Sequence, residues 1–150
     1  MSSNAKFKIV YLLQPRSSPF ILGKKFAHPK NATNMQALPS LVEEYIALLK
    51  AFKYSDALDQ FYDENLVKHE NEDAPTIGLA AHRAEVEQFF NTTSHHHATV
   101  KNVIISDDVS VIEWYYEFDH KKFGHLKLNQ VSVQRWKNGK IIHERHHYNR

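Results

Sequence analysis

The chain contains no cysteine. That absence excludes disulfide scaffolds, thiolate metal sites, iron–sulfur clusters and cysteine nucleophiles together. Glycine is scarce, at four residues, so a loop that cradles phosphate through bare backbone has no material. No Gly-x-Ser-x-Gly element occurs, which removes the nucleophile elbow of serine hydrolases. No apolar run approaches the ~20 residues of a membrane span. The stretch Ile9-Val10-Tyr11-Leu12-Leu13 is cut short by Gln14, Pro15 and Arg16, so it does not read as a secretory signal. A cytoplasmic protein with no membrane partner is the expectation.

What is present suffices for one domain. The 150 residues are 42% hydrophobic and 24% charged, close to globular averages. The net charge of +2 hides an asymmetry. Residues 1–39 carry Lys6, Lys8, Arg16, Lys24, Lys25 and Lys30 with no acid, leaving 13 basic residues against 17 acidic ones in the remainder. Residues 1–37 therefore read as a basic N-terminal extension and 38–150 as the domain. The extension lacks the density and aromatic interleaving of a nucleic-acid groove, so no nucleic-acid partner is expected.

From Pro39 onward the pattern is helical. Ser40-Leu41-Val42-Glu43 fits a capping box, and Leu41, Tyr45, Leu48, Leu49 and Phe52 recur at helical spacing. Ser55 or Asp56 caps a second helix carrying Leu58, Phe61 and Tyr62; Leu66–His69 reads as a short strand. A third helix over about 78–90 places His82, Val86, Phe89 and Phe90 on one stripe. The period then changes to two. Strands are expected over 99–105, 109–119, 126–136 and 141–148, with Asn138-Gly139 a strong hairpin signal. The class is α+β, with helices on one face of the sheet.

This order of elements, ending in Trp136-Lys137-Asn138-Gly139-Lys140-Ile141-Ile142, resembles the NTF2-like superfamily and, within it, the SnoaL-like group of polyketide cyclases and ketosteroid isomerase relatives. The resemblance covers about residues 40–149. It implies a cone of three N-terminal helices packed on a curved antiparallel sheet, with a small apolar ligand in its mouth and homodimers joined through the sheet. Alternation groups Ile112, Trp114 and Tyr116 on one strand face, Gln130 and Ser132 on another, and Glu144, His146 and Tyr148 on a third. The resemblance turns these faces inward and makes them, with Glu70, the substrate-binding set.

The same resemblance assigns chemistry. Tyr45 matches the tyrosine that donates to an oxyanion in ketosteroid isomerases, and His69 falls on their aspartate base, with Glu70 directly behind. Ser132 stands where those enzymes hold a protonated carboxylic acid, a departure that argues against steroid isomerisation itself. His146 falls at or beside the acid of the polyketide cyclases. Catalytic roles are thus expected for His69, Tyr45 and His146, since imidazole, with an ordinary pKa ~6.5, is a competent base at neutral pH.

Eleven histidines invite a metal reading. His143-Glu144-Arg145-His146-His147 has the spelling of a zinc-protease motif, but that motif needs a helix. In a strand, positions i and i+4 lie about 13 Å apart and cannot share one zinc ion. His95-His96-His97 reads as a solvated loop. No metal and no cofactor is expected. Two functions remain open: acid–base chemistry of isomerase, cyclase or hydratase type on an apolar oxygenated ligand, or a non-catalytic dimeric ligand-binding or association module.

Overall fold

The computed structural model describes residues 9–11 and 37–149. Helix α1 spans Leu38–Lys50 and buries Val42, Tyr45 and Leu49 on its apolar stripe. It starts earlier than the sequence suggests. Pro39 occupies the first turn, where a missing N–H costs nothing, so Ala37 becomes the N-cap without a side-chain hydrogen bond. Ser40 is thereby inside the helix, and the expected capping box does not form. Helix α2 (Tyr54–Phe61) follows after a short turn and buries Ala57, Leu58 and Phe61; it too lacks a side-chain cap.

Strand β2 runs over Tyr62–Glu70, twice the expected length. Its first half, Asp63-Glu64-Asn65, is polar, and the register with its neighbour shifts between Tyr62 and Val67. Both features hide the strand from an alternation test. Strand β3 (Thr76–Ile77) turns back on it, and helix α3 (Leu79–Thr92) comes next. The third helix therefore comes after β2 and β3, so the helices are not all N-terminal to the sheet.

Four long strands complete the domain: β4 (Thr93–Ser106), β5 (Val109–His120), β6 (Gly124–Lys137) and β7 (Lys140–Tyr148). Strand β4 absorbs His95-His96-His97, correcting the loop reading. An irregularity between Ser94 and His97, with His95 at φ +53°, disguises that part of the strand. Asn138 and Gly139 both take positive φ, as the two-residue hairpin requires. With β1 (Ile9–Tyr11), the sheet has seven strands in the order β1-β4-β5-β6-β7-β2-β3, curved and unclosed. The central pairings are antiparallel, whereas β1 with β4 and β2 with β7 are parallel, so the sheet is mixed rather than wholly antiparallel. No helix among the described residues is long and apolar enough to cross a membrane.

The helices cover the concave face. Against them stand Ile112 and Trp114 of β5, Ser132, Gln134 and Trp136 of β6, and Ile141 and Glu144 of β7. The three residues of β1 add an edge strand beside Val103–Ile105. Deleting residues 1–34 removes only that pairing from the described sheet. The expected outcome is a melting temperature within a few degrees of the full chain by circular dichroism. Loss of the cooperative transition would make β1 integral to the fold.

Candidate functional site

The curved face and the helices leave a cavity of about 430 Å³ between them. Its walls are mostly aromatic and aliphatic: Phe52, Tyr54, Leu58, Val86, Phe89, Phe90, Trp114, Tyr116 and Leu128. Trp114 and Tyr116 stack with ring centroids 5.4 Å apart, a consequence of their i, i+2 spacing on one strand face. Burial pushes the Tyr54 phenol up to about 12 and raises that of Tyr116 as well. The polar lining is concentrated on β2, β6, β7 and α3: Lys68, Glu70, His82, Glu85, Ser132 and His146.

Glu144 is the hub behind this wall. It is wholly buried and accepts hydrogen bonds from Tyr62 Oη at 2.9 Å, Gln134 Nε2 at 2.8 Å and, more loosely, Tyr45 Oη at 3.4 Å. The Tyr45 and Tyr62 hydroxyls also meet each other at 2.8 Å. Gln134 is fixed in turn by Ser110, whose hydroxyl donates to its carbonyl and accepts from Trp136 Nε1. Every member is satisfied, which is the condition for burying such a network. Burial, reinforced by the Glu144 charge, holds both phenols well above their ordinary pKa, so they remain donors.

His146 links this hub to the cavity. Its Nε2 lies 3.2 Å from Glu144 Oε1 and its Nδ1 lies 3.2 Å from Glu70 Oε1. Burial alone would lower its pKa, but Glu144 and then Glu70 outweigh that and raise it to about 9. At neutral pH it is an imidazolium, hydrogen-bonded through Nδ1 to Glu70 and ion-paired through Nε2 with Glu144. Burial opposes ionisation of Glu70 as well, yet His146 and Lys68 bring that carboxyl down to about 2. The chain of charges continues outward, for Lys68 pairs with Glu70 and, at 3.1 Å, with Glu85, which Thr76 also holds.

The structure brings most of the expected residues together. Tyr45, Glu70, Trp114, Tyr116, Gln130, Ser132, His146 and Tyr148 line the cavity. Ile112 is buried in the core beneath it rather than in its wall, and Glu144 reaches the cavity through His146. The Tyr45 hydroxyl is committed to Tyr62 and Glu144. His69 is not with them. Lys68 and Glu70 occupy the inward positions of β2, so the odd-numbered neighbour turns to the other face, where the His69 ring lies 5.3 Å from that of His143. The register of β2 places Glu70, not His69, opposite His146.

Sequence reasoning missed Tyr62, Lys68, Gln134, Glu85 and His96 as parts of the site, and took His82 only as a helix-stripe residue. For His82 the signal was available, because an imidazole on an apolar stripe with Val86 and Phe89 must face the interior. His96 packs its ring against Phe89, Phe90 and Phe52 at the cavity's far wall. Among the described residues no group of three or more His, Asp or Glu side chains could hold a metal ion. His143 and His147 lie on strand β7, the context in which the zinc-protease spelling has no meaning.

Comparison with known proteins agrees with this geometry. The SnoaL-like domain family matches residues 42–144. A protein from Mesorhizobium loti named as a SnoaL-like polyketide cyclase superimposes with a TM-score of 0.70 at 19% identity, over 75% of this chain and 100% of that one. One of the same designation from Jannaschia gives 0.65 at 11% identity, covering 80% and 91% of the two chains. A ketosteroid isomerase-like fold from Catenulispora acidiphila, solved with trimethylamine, gives 0.63 at 14%, covering 75% and 88%. No curated protein matches the chain. At these identities the solved structures establish the fold, and the match over residues 42–144 establishes the family: the chain belongs to the SnoaL-like domain family, with the NTF2-like architecture.

Proposed function

We propose that the chain binds a small, largely apolar, oxygen-bearing molecule in this cavity and acts on it by acid–base chemistry of isomerase, cyclase or hydratase type. The observation that carries the reading is the His146 ring, set 3.2 Å from each of two carboxylates in the wall of an aromatic cavity. Apolar walls with a few convergent polar groups are what small-molecule sites are built from. A cation at the inner end favours a ligand whose carbonyl or hydroxyl oxygen gathers negative charge during reaction. With its pKa raised, His146 belongs on the acid side of such chemistry rather than the base side.

The test is a search for the ligand. Native mass spectrometry of the protein as isolated should reveal a carried-over molecule. A panel of ketones, enones and lactones small enough for about 430 Å³ should include members that raise the melting temperature by several degrees. If none binds and no ligand is carried, the reading fails.

A second reading, an association module, is favoured by the outer sheet face. Val111, Val131 and Val133 form an apolar patch there, with Val111 paired to Val133 across β5 and β6. Glu113 and Glu117 flank it on β5, while His143 and Arg145 flank it on β7. A two-fold axis through the patch sets the acids of one copy against the bases of the other. On this reading the chain is a homodimer through the sheet, and Val133→Asp yields monomers by analytical ultracentrifugation. A monomeric parent chain would remove it.

A further inference from the structure

His82 presents an anomaly that the network around Glu144 does not use. The side chain is buried on α3 and lines the cavity, yet its Nδ1 is the one buried side-chain nitrogen or oxygen, among the described residues, without a hydrogen-bond partner. An acceptor stands one turn along the same helix, Glu85 Oε2 at 3.5 Å. Glu85 is held in place by Lys68 at 3.1 Å and by Thr76. The Tyr62 ring, 5.4 Å away, fixes the imidazole from the sheet side. An imidazole with one nitrogen turned to an anchored carboxylate and the ring in a cavity wall has the build of a base and its orienting acid. The separation exceeds a hydrogen bond, as such contacts often do before a ligand closes the site.

We propose that His82 is the proton acceptor of the cavity and Glu85 its positioning residue. Glu85 keeps the proton on Nδ1, which leaves the Nε2 lone pair for the ligand. The inference rests on the small-molecule reading given above and adds its missing half. The substrate class follows: a molecule with a C–H made acidic by an adjacent carbonyl. Nε2 takes that proton while the C–H electron pair moves to the carbonyl oxygen, forming an enolate. The imidazolium of His146, on β7, also lines the cavity and favours that charge.

The charges around the ring suit the assignment. Burial lowers the His82 pKa, and the cations Lys68 on β2 and His146 on β7 add to that. Glu144 on β7 and Glu85 on α3 pull the other way without overcoming it. The ring is therefore neutral at pH 7, in the state a base requires. One histidine held protonated and another held neutral in one cavity is the separation that acid–base catalysis exploits.

The test uses 5-nitrobenzisoxazole, a flat apolar molecule that reports any base in an apolar cavity. Removal of its C3 proton supplies the electron pair for a nitrile as the N–O bond breaks, releasing coloured 2-cyano-4-nitrophenolate. Binding is read independently by quenching of tryptophan fluorescence, since Trp114 stands in the cavity wall. The expected result is saturable turnover that falls about 10²–10⁴-fold in His82→Ala and His82→Phe while quenching persists. The wild-type rate should fall on the acid side through one ionisation, and Glu85→Gln should move that midpoint to lower pH. In the wild type, ¹⁵N spectra at pH 7 should show a neutral His82 ring protonated at Nδ1; a charged ring or the Nε2–H tautomer overturns the proposal whatever the variants do. Quenching without turnover, or turnover unchanged in the His82 variants, overturns it while leaving the small-molecule reading intact. Absence of both binding and turnover removes the inference together with this probe class as ligands.

Discussion

Glu144→Ala should unfold this domain more readily than any other single substitution in the site, by about 3–5 kcal/mol. The carboxylate is wholly buried, so its donors are shut away from bulk solvent. Tyr62, Gln134 and His146 would each lose an acceptor now within 2.8–3.2 Å, and His146 would keep a charge with only Glu70 opposite. A domain of this size is stable by about 5–15 kcal/mol, so much of the margin goes. The midpoint of thermal unfolding should drop by about 10 °C. Glu144→Gln separates charge from shape. It keeps one carbonyl acceptor but sets an amide N–H₂ among groups that now donate to the carboxylate, and an intermediate loss of about 1–3 kcal/mol is expected. Urea titrations of the three proteins decide it. Equal stability of Glu144→Ala and the parent would show that the Tyr62, Gln134 and His146 donors find other partners at no cost.

How much of this was legible in the sequence differs between the sheet and the site. The long strands carry period-two patterns and an Asn-Gly turn, so β5, β6 and β7 lie within two residues of expectation. Alternation within β5 correctly groups Ile112, Trp114 and Tyr116, because no bulge interrupts that strand's pairing with β6. Strands β2 and β4 are where alternation fails. In β4 the phase changes between Val100 and Asn102, so Ala98 and Val100 face inward and so do Val103 and Ile105. In β2 the shift before Val67 breaks the count from helix to strand. A one-residue slip moves a side chain to the opposite face, which is how His69 comes to point away from the cavity that Glu70 lines.

The polar site was less legible still, for a physical reason. A buried carboxylate in a strand looks in sequence like an exposed one. Glu144 follows His143 and precedes Arg145, and nothing local distinguishes it from the solvated glutamates of β5. Its role depends on Tyr45, Tyr62 and Gln134, which lie 99, 82 and 10 positions away. Only the parallel pairing of β7 with β2, a contact between the beginning and end of the domain, brings Glu70 and Lys68 beside His146 and Glu144. Single-sequence periodicity carries no information about such a pairing. The resemblance to the SnoaL-like group supplied the cavity, and the local patterns supplied the strand faces, but the long-range partners had to be seen.

That network also makes stability depend on pH, with a direction that can be worked out. His146 titrates near 6.5 when unfolded and at about 9 when folded. Between those values the native state holds a proton the unfolded chain has released, so stability falls as pH rises. The contribution is complete below pH 6.5 and gone above about 9, and its size is on the order of 3 kcal/mol. Glu70 acts at the other end: its carboxyl titrates at about 2 when folded against 4.5 unfolded, so its contribution is present above 4.5 and lost as pH falls. Glu144 is lowered in the same direction. His82 and His143, both held below 6.5 first by burial, oppose stability as pH drops beneath that value and leave the alkaline limb untouched. Between pH 6.5 and 9 the loss therefore belongs to the His146–Glu144–Glu70 group as a unit, since closely coupled sites titrate together; Lys68 and the buried tyrosines, also raised, act only above that range. Urea unfolding at pH 6.5, 7.5 and 9 should show a progressive loss in the parent chain. His146→Gln, which cannot ionise, should be less stable at pH 6.5 and nearly level across the range. A parent chain as stable at pH 9 as at 6.5 would mean that His146 is not held as an imidazolium, and the acid side of the proposed chemistry would go with it.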